Sequence, residues 1–147
     1  MIMMNKIMFI FSIGLLMAFS APVVIYPVYI KEYNVYLYPD NGCSKRYTLK
    51  ANDSTTLKVN LSSCKGSMMV EVYFKDMLIE KGKYINSLDL LRKYDNRVSY
   101  NRKKNKHISE IIVSEYYQPL RDSVWLFYNH DSVSRKVYNR GIEVKYK

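Results

Sequence analysis

The apolar residues of this chain fall into one long uncharged run followed by many short alternating ones. No charged side chain occurs from Ile7 to Ile30, and Lys6 stands just ahead of that run. Farther along, Thr55, Leu57, Val59 and Leu61 share one parity, while Thr56, Lys58 and Asn60 share the other. Such period-two alternation marks a strand with one wet side. The same reading predicts strands at Tyr33–Tyr38, Arg46–Lys50, Met68–Phe74 and Met77–Lys81. Turns fall at Pro39-Asp40-Asn41-Gly42, Lys65-Gly66 and Lys75-Asp76, where Gly, Asn and Asp tolerate a tight reversal. His107–Tyr117, Val124–Tyr128, Val133–Asn139 and Ile142–Tyr146 then form a meander. One segment breaks the pattern. Asn86–Tyr94 spaces Leu88 with Leu91 and Leu90 with Tyr94 at helical intervals, with Asn86 or Ser87 as cap and Arg92 and Lys93 at the negative end. The expected fold class is mainly β: a small domain of antiparallel hairpins and a meander with one short helix.

The long uncharged run changes the picture of where this domain works. A positive start, an apolar centre and small residues at Ala18, Ser20 and Ala21 have the layout of a signal peptide over residues 1–20, cut before Ala21. A retained membrane anchor over residues 7–30 is the alternative, since a span needs about 20 residues. Pro22 and Pro27 flank Val23–Tyr26, which reads as an edge strand rather than as a continuing helix. Residues 21–147 then form a single β-rich domain, divisible into hairpins over 33–81 and a meander over 82–147. The expected localisation is exported, periplasmic or secreted. The first cysteine is Cys43, so no lipid-attachment cysteine closes the leader.

Export also sets the cysteine chemistry. Cys43 and Cys64 are expected to form one disulfide closing a loop of about 20 residues, worth roughly 3 kcal/mol. Two cysteines without C-x-x-C spacing or a nearby histidine cannot complete a metal shell, so no metal is expected. Asn52-Asp53-Ser54 and Asn60-Leu61-Ser62 match the N-glycosylation pattern, giving Asn52 and Asn60 as possible glycan sites in a eukaryotic or viral setting.

The chain carries a formal charge of +10 and 15 tyrosines. Much of that charge clusters at Arg92, Lys93, Arg97, Arg102, Lys103, Lys104 and Lys106, interleaved with Tyr94 and Tyr100. In a cytosolic protein this would suggest nucleic acid. In an exported one it points to phospholipid, lipopolysaccharide or acidic glycan, or else to a merely solvated hairpin tip at Asn101–Lys106 between strands near Arg97–Tyr100 and Ile108–Tyr117. Tyr100, Arg102, Lys103, Lys104 and Lys106 are the candidate binding residues. Trp125 and Tyr128 are expected to be core or sheet-face anchors. His107 and His130 fall near turns as surface residues, and Glu71, Glu80, Asp89 and Glu110 are expected to face solvent. There is no H-E-x-x-H, no G-x-S-x-G and no phosphate-cradling glycine loop, so no catalytic residue or cofactor is assigned.

Three fragments are similar to a known repeat. Gly82–Ser87, Glu115–Tyr128 and Lys136–Ile142 resemble degenerate MORN-type repeats, and more closely the variant repeats of bacterial proteins labelled toxin–antitoxin components. Ser87, Ser123 and Ser132 stand where that repeat would carry glycine, and the long segment Leu88–Glu115 separates the first fragment from the second. The resemblance implies an all-β, hairpin-stacking, non-enzymatic architecture and carries over no catalytic residue. The function expected from all of this is an exported, non-catalytic binding module, an accessory subunit of a bacterial cell-envelope assembly contacting anionic surfaces or protein partners. Nucleic acid is not expected as a partner, and membrane anchoring is expected only through an uncleaved leader. Alternatives are a secreted viral or eukaryotic glycoprotein binding a host protein, and a small hydrolase built on His130 and Asp131.

Overall fold

The structure, a computed structural model, describes residues 24–40 and 42–145. The expected signal peptide lies outside the described residues, as does Val23. Eleven strands are present: β1 Val28–Ile30, β2 Val35–Leu37, β3 Lys45–Lys50, β4 Thr55–Leu61, β5 Met68–Phe74, β6 Met77–Ile85, β7 Leu90–Asn101, β8 Lys106–Tyr117, β9 Leu120–Asn129, β10 Ser132–Asn139 and β11 Ile142–Val144. Seven form one sheet in the order β11-β10-β9-β6-β5-β4-β3, and four form a second in the order β2-β1-β8-β7. Every neighbouring pair in the larger sheet is antiparallel.

Alternation decides which face of each strand is buried. In β4, Thr55, Leu57, Val59 and Leu61 turn inward, and in β5 Met68, Val70 and Val72 lie beside them. The turn Lys75-Asp76 joins β5 to β6 with both residues at positive φ (46° and 65°). That is the backbone handedness a two-residue hairpin needs to match strand twist. Arg140 and Gly141 do the same between β10 and β11, at φ 48° and 87°. The short sheet supplies the opposing layer: Val28, Ile30 and Leu37 pack on Leu57, Leu61, Val70, Tyr84 and Trp125, all fully or almost fully buried.

Cys43 and Cys64 form a disulfide with their Cα atoms 4.8 Å apart. It ties the entry to β3 to the turn after β4. This bond is compatible with export, because disulfides persist in oxidising compartments.

Four sequence expectations are corrected. Asn86–Tyr94 is not a helix: Asn86–Asp89 is irregular, and β7 begins at Leu90. A two-turn helix is marginal without packing, whereas Leu90 and its followers gain a continuous ladder against β8. Tyr33 belongs to a single 3-10 turn, Lys31–Tyr33, closed by Asn34 at φ 53°, so the strand there is only β2. The proline-flanked strand falls after Pro27 rather than before it; the Pro27 carbonyl accepts the Tyr117 N–H at 2.9 Å, which seats β1 beside β8. Val28–Ile30 is therefore a core strand, and among the described residues no helix is long and apolar enough to cross a membrane. Finally, Glu80 is buried rather than solvent-facing. It shares the inward parity of Gly82 and Tyr84 along β6.

Candidate functional site

The second sheet does something unusual at its far edge. β7 and β8 pair over twelve residues each, from Leu90↔Tyr117 to Asn101↔Lys106. At about 3.3 Å per residue the ribbon is roughly 40 Å long. The β8 side is paired to the body only at its root, where Val28 faces Tyr117, and β7 is the last strand of its sheet. Nearly every residue from Leu91 to Ile112 is exposed. The result is a two-stranded arm standing off the domain.

Cross-strand register sorts its side chains onto two faces. One carries Tyr94 with Val113, Asn96 with Ile111, Val98 with Ser109 and Tyr100 with His107. Ile111, Tyr94, Val98 and Tyr100 are 73%, 64%, 61% and 51% exposed. The opposite face carries Lys93, Asp95, Arg97, Glu110 and Lys106, with Ile108 and Ile112 among them. The arm is thus amphipathic, and among the described residues nothing covers its more apolar face.

Local chemistry holds the ribbon in register. Arg92 Nε donates to Glu115 Oε1 at 2.7 Å near the root, and the Glu115 contact holds the guanidinium pKa above its ordinary value. Lys93 pairs with Asp95 at 3.1 Å. At the tip, Arg102–Asn105 turns the chain with Asn105 at φ 47°, and the Lys104 N–H is accepted by Asn101 Oδ1 at 3.1 Å. The Tyr100 hydroxyl donates to Asn105 Oδ1, and the Tyr100 and His107 rings lie 5.2 Å apart.

The expected binding residues therefore come together, with their environment now defined. Arg102, Lys103 and Lys104 occupy the turn, Lys106 opens β8, and Tyr100 lies two residues before Arg102. None of the four cations takes part in an ion pair among the described residues. Between Asp95 and Glu110 the chain has five cations and no acid, because Arg97 adds to the four at the tip. The apolar face beside this tip went unnoticed in sequence reading. Its signal was the alternation Tyr94, Val98, Tyr100, which looks the same whether or not a second layer covers it.

Elsewhere polar groups serve the fold. Arg121, from β9, lies over Trp125 (4.3 Å to the ring centroid), and also faces Phe127 and Tyr138. Its Nη2 pairs with Glu80, while Glu32 lies 3.9 Å from its Nε and accepts the Tyr84 hydroxyl at 3.0 Å. Burial pushes the Glu80 carboxyl above the ordinary 4.5; Arg121 opposes the shift and Glu32 adds to it. Trp125 is fully buried and donates its indole N–H to the Lys83 carbonyl at 3.1 Å. Tyr128 is half-buried on the opposite parity of β9.

His130 and Asp131 are the two turn residues between paired Asn129 and Ser132. Both are exposed, at the rim of a depression lined in part by Phe74, Met77 and Val133. His107 is exposed on the arm. Asn52 lies in an exposed loop, where its Oδ1 accepts the Ser54 and Thr55 N–H groups at 2.9 and 2.8 Å. Asn60 is exposed on the outer side of β4. No family model, curated protein or solved structure matches the chain.

Proposed function

We propose that this chain is an exported, non-catalytic binding module that works through the β7–β8 arm, as an accessory component of a cell envelope. The observation that supports it is the arm: an apolar face that, among the described residues, nothing covers, running into a tip whose four cations have no ion-pair partner among those residues. An isolated two-stranded ribbon is at best marginally stable in water, and exposed apolar residues grouped on one face mark interaction sites. The disulfide between Cys43 and Cys64 supports the exported setting.

The likeness to MORN-type repeats remains part of this proposal. It rests on the sequence fragments Gly82–Ser87, Glu115–Tyr128 and Lys136–Ile142, which contain Tyr84 and Trp125. Ser123, at a position where the repeat would carry glycine, adopts φ 59°.

The test is a full-length chain in which Tyr94–Val113 is replaced by a short Asn-Gly turn. Its urea midpoint should match that of the parent, because the core residues lie outside the arm. Its salt-sensitive co-sedimentation with isolated cell envelopes should be lost. Equal co-sedimentation of the two chains would overturn the reading. A second reading, a secreted glycoprotein that binds a host protein, is favoured by the exposure of Asn52 and Asn60; an unmodified mass after expression in a eukaryotic secretory host would eliminate it.

A further inference from the structure

The form of the arm narrows what its partner can be. A ribbon two strands wide, at about 4.8 Å per strand, and roughly 40 Å long offers on the order of 400 Å² per face. A stable protein–protein interface uses about 800 Å² per partner. A second copy laid on this face would bury about half of that, and would bring two cationic tips into the same assembly. A lipid surface sets no such minimum and needs no shape complementarity.

Charge and backbone point the same way. The stretch from Asn96 to Ser109 holds five cations and no acid. Both long edges of the ribbon are open beyond the root, since β7 ends its sheet and β8 meets β1 only at Tyr117. Open edges keep their N–H and C=O groups in water, so the ribbon cannot enter hydrocarbon. It can lie at headgroup depth, where tyrosine rings are favoured and basic side chains meet lipid phosphates.

Resting on the arm-binding reading above, we infer that the partner is an anionic phospholipid surface. The ribbon lies along it with Tyr94, Val98, Tyr100, Ile111 and Val113 toward the acyl boundary and Arg102, Lys103 and Lys104 of the turn on the phosphates; Lys106, on the other face at the tip, adds its charge within a Debye length of the surface.

The chain has a single tryptophan, the fully buried Trp125, so a Val98→Trp substitution adds a reporter on the arm over a constant background. Full-length protein carrying it is titrated with vesicles of equal parts phosphatidylglycerol and phosphatidylcholine, with pure phosphatidylcholine vesicles, and with polyglutamate. Because every variant is full-length, any vesicle affinity from the apolar run Ile7–Ala21 is common to all, and only an arm contact moves the reporter. Its emission should shift to shorter wavelength on the anionic vesicles alone, and the shift should fade as added salt shortens the Debye length.

Replacing Arg102, Lys103, Lys104 and Lys106 with Ser should weaken the fluorescence-detected affinity on the order of a thousandfold at low salt. Tyr94→Ser with Ile111→Ser and Val113→Ser should abolish the shift while leaving the charge intact. Unchanged far-UV dichroism confirms folding of each variant. A shift that survives the loss of the four charges at low salt overturns the inference, as does a shift with polyglutamate but not with vesicles, which assigns the arm to an acidic protein. If arm removal abolishes envelope co-sedimentation yet vesicles leave the reporter unmoved, lipid is the wrong partner although the arm is the right surface. If neither assay depends on the arm, both readings fall.

Discussion

Gly82→Ala tests the packing that holds the domain together. Gly82 lies in β6 where the pairing with β9 shifts register, and its φ is not positive, so a side chain is not forbidden by its backbone. Space forbids it. A Cβ there would fall among the Trp125 ring atoms Cδ2, Cε2 and Cε3, and even the farthest of the three would be only 2.6 Å away. The indole can yield only by giving up the Lys83 carbonyl, the Tyr84 ring edge and the Arg121 guanidinium. Overpacking a core costs about 1–3 kcal/mol, and losing a buried tryptophan altogether about 3–5 kcal/mol. Against this, exchanging glycine for alanine within a strand should favour folding by roughly 0.5–1 kcal/mol. The net expectation is a loss of about 2–3 kcal/mol, roughly 10 °C in Tm for a domain of this size. Urea unfolding followed by Trp125 fluorescence measures it. A Gly82→Ala protein as stable as the parent, or more so, would refute the reasoning. The cycle with Trp125→Ala, followed by far-UV dichroism, adds a stricter condition. Once the indole is gone, Gly82→Ala should cost almost nothing, giving a coupling of about 2 kcal/mol.

Further expectations concern the disulfide, the buried carboxylate and one strained serine. Cys43→Ser with Cys64→Ser should destabilise by about 3 kcal/mol in urea, and reduction of the parent should reproduce that loss; identical midpoints with and without reductant would remove the cross-link from the account. Because burial raises the Glu80 pKa, the native state holds this proton more tightly than the unfolded chain does. Its contribution to stability is therefore full below the ordinary 4.5 and declines as pH rises through the native value. Glu80→Gln should accordingly match or exceed the parent in stability at neutral pH, an advantage that disappears below pH 4.5. A loss of about 3 kcal/mol at neutral pH would mean instead that the Arg121 pairing outweighs burial. Ser123→Gly should stabilise by about 0.5–1 kcal/mol, since an L-residue at positive φ costs about 1–2 kcal/mol and glycine returns part of that as entropy; a lower melting temperature would contradict it.

How far the sequence could be read depended on whether a residue's fate was settled locally. Thr55–Leu61 was legible because one strand with one wet face leaves its parity in the chain, and Lys75-Asp76 because few residue pairs accept two positive φ values. Asn86–Tyr94 misled for the opposite reason. Leucines at helical spacing describe only what the segment would do alone, while the ladder to Leu90–Tyr94 is supplied by the distant residues Val113–Tyr117. Glu80 was misplaced as solvent-facing because its charge outweighed its parity, although Gly82 and Tyr84 on the same side marked the inward face. The hairpin tip at Arg102–Lys106 is legible as a run of charge with Tyr100 beside it. That Tyr94, Val98 and Ile111 would have no layer above them is a property of the whole fold, and no local pattern records it.

Ile85 and Leu120 face each other across β6 and β9, so the chain departs from the large sheet and comes back to it on a single rung. Only the part beyond the Lys93–Ser114 rung is a detour; the root, with Ser87 and Pro119 buried and Tyr117 holding β1, belongs to the core. Such an attachment lets reach evolve separately from foundation. Rungs can be gained or lost in pairs, and the tip rewritten, with the consequences confined to the detour itself. For an engineer, the Lys93–Ser114 rung is a socket: a different ribbon of matching handedness could be mounted there while the disulfide-tied base beneath keeps its shape.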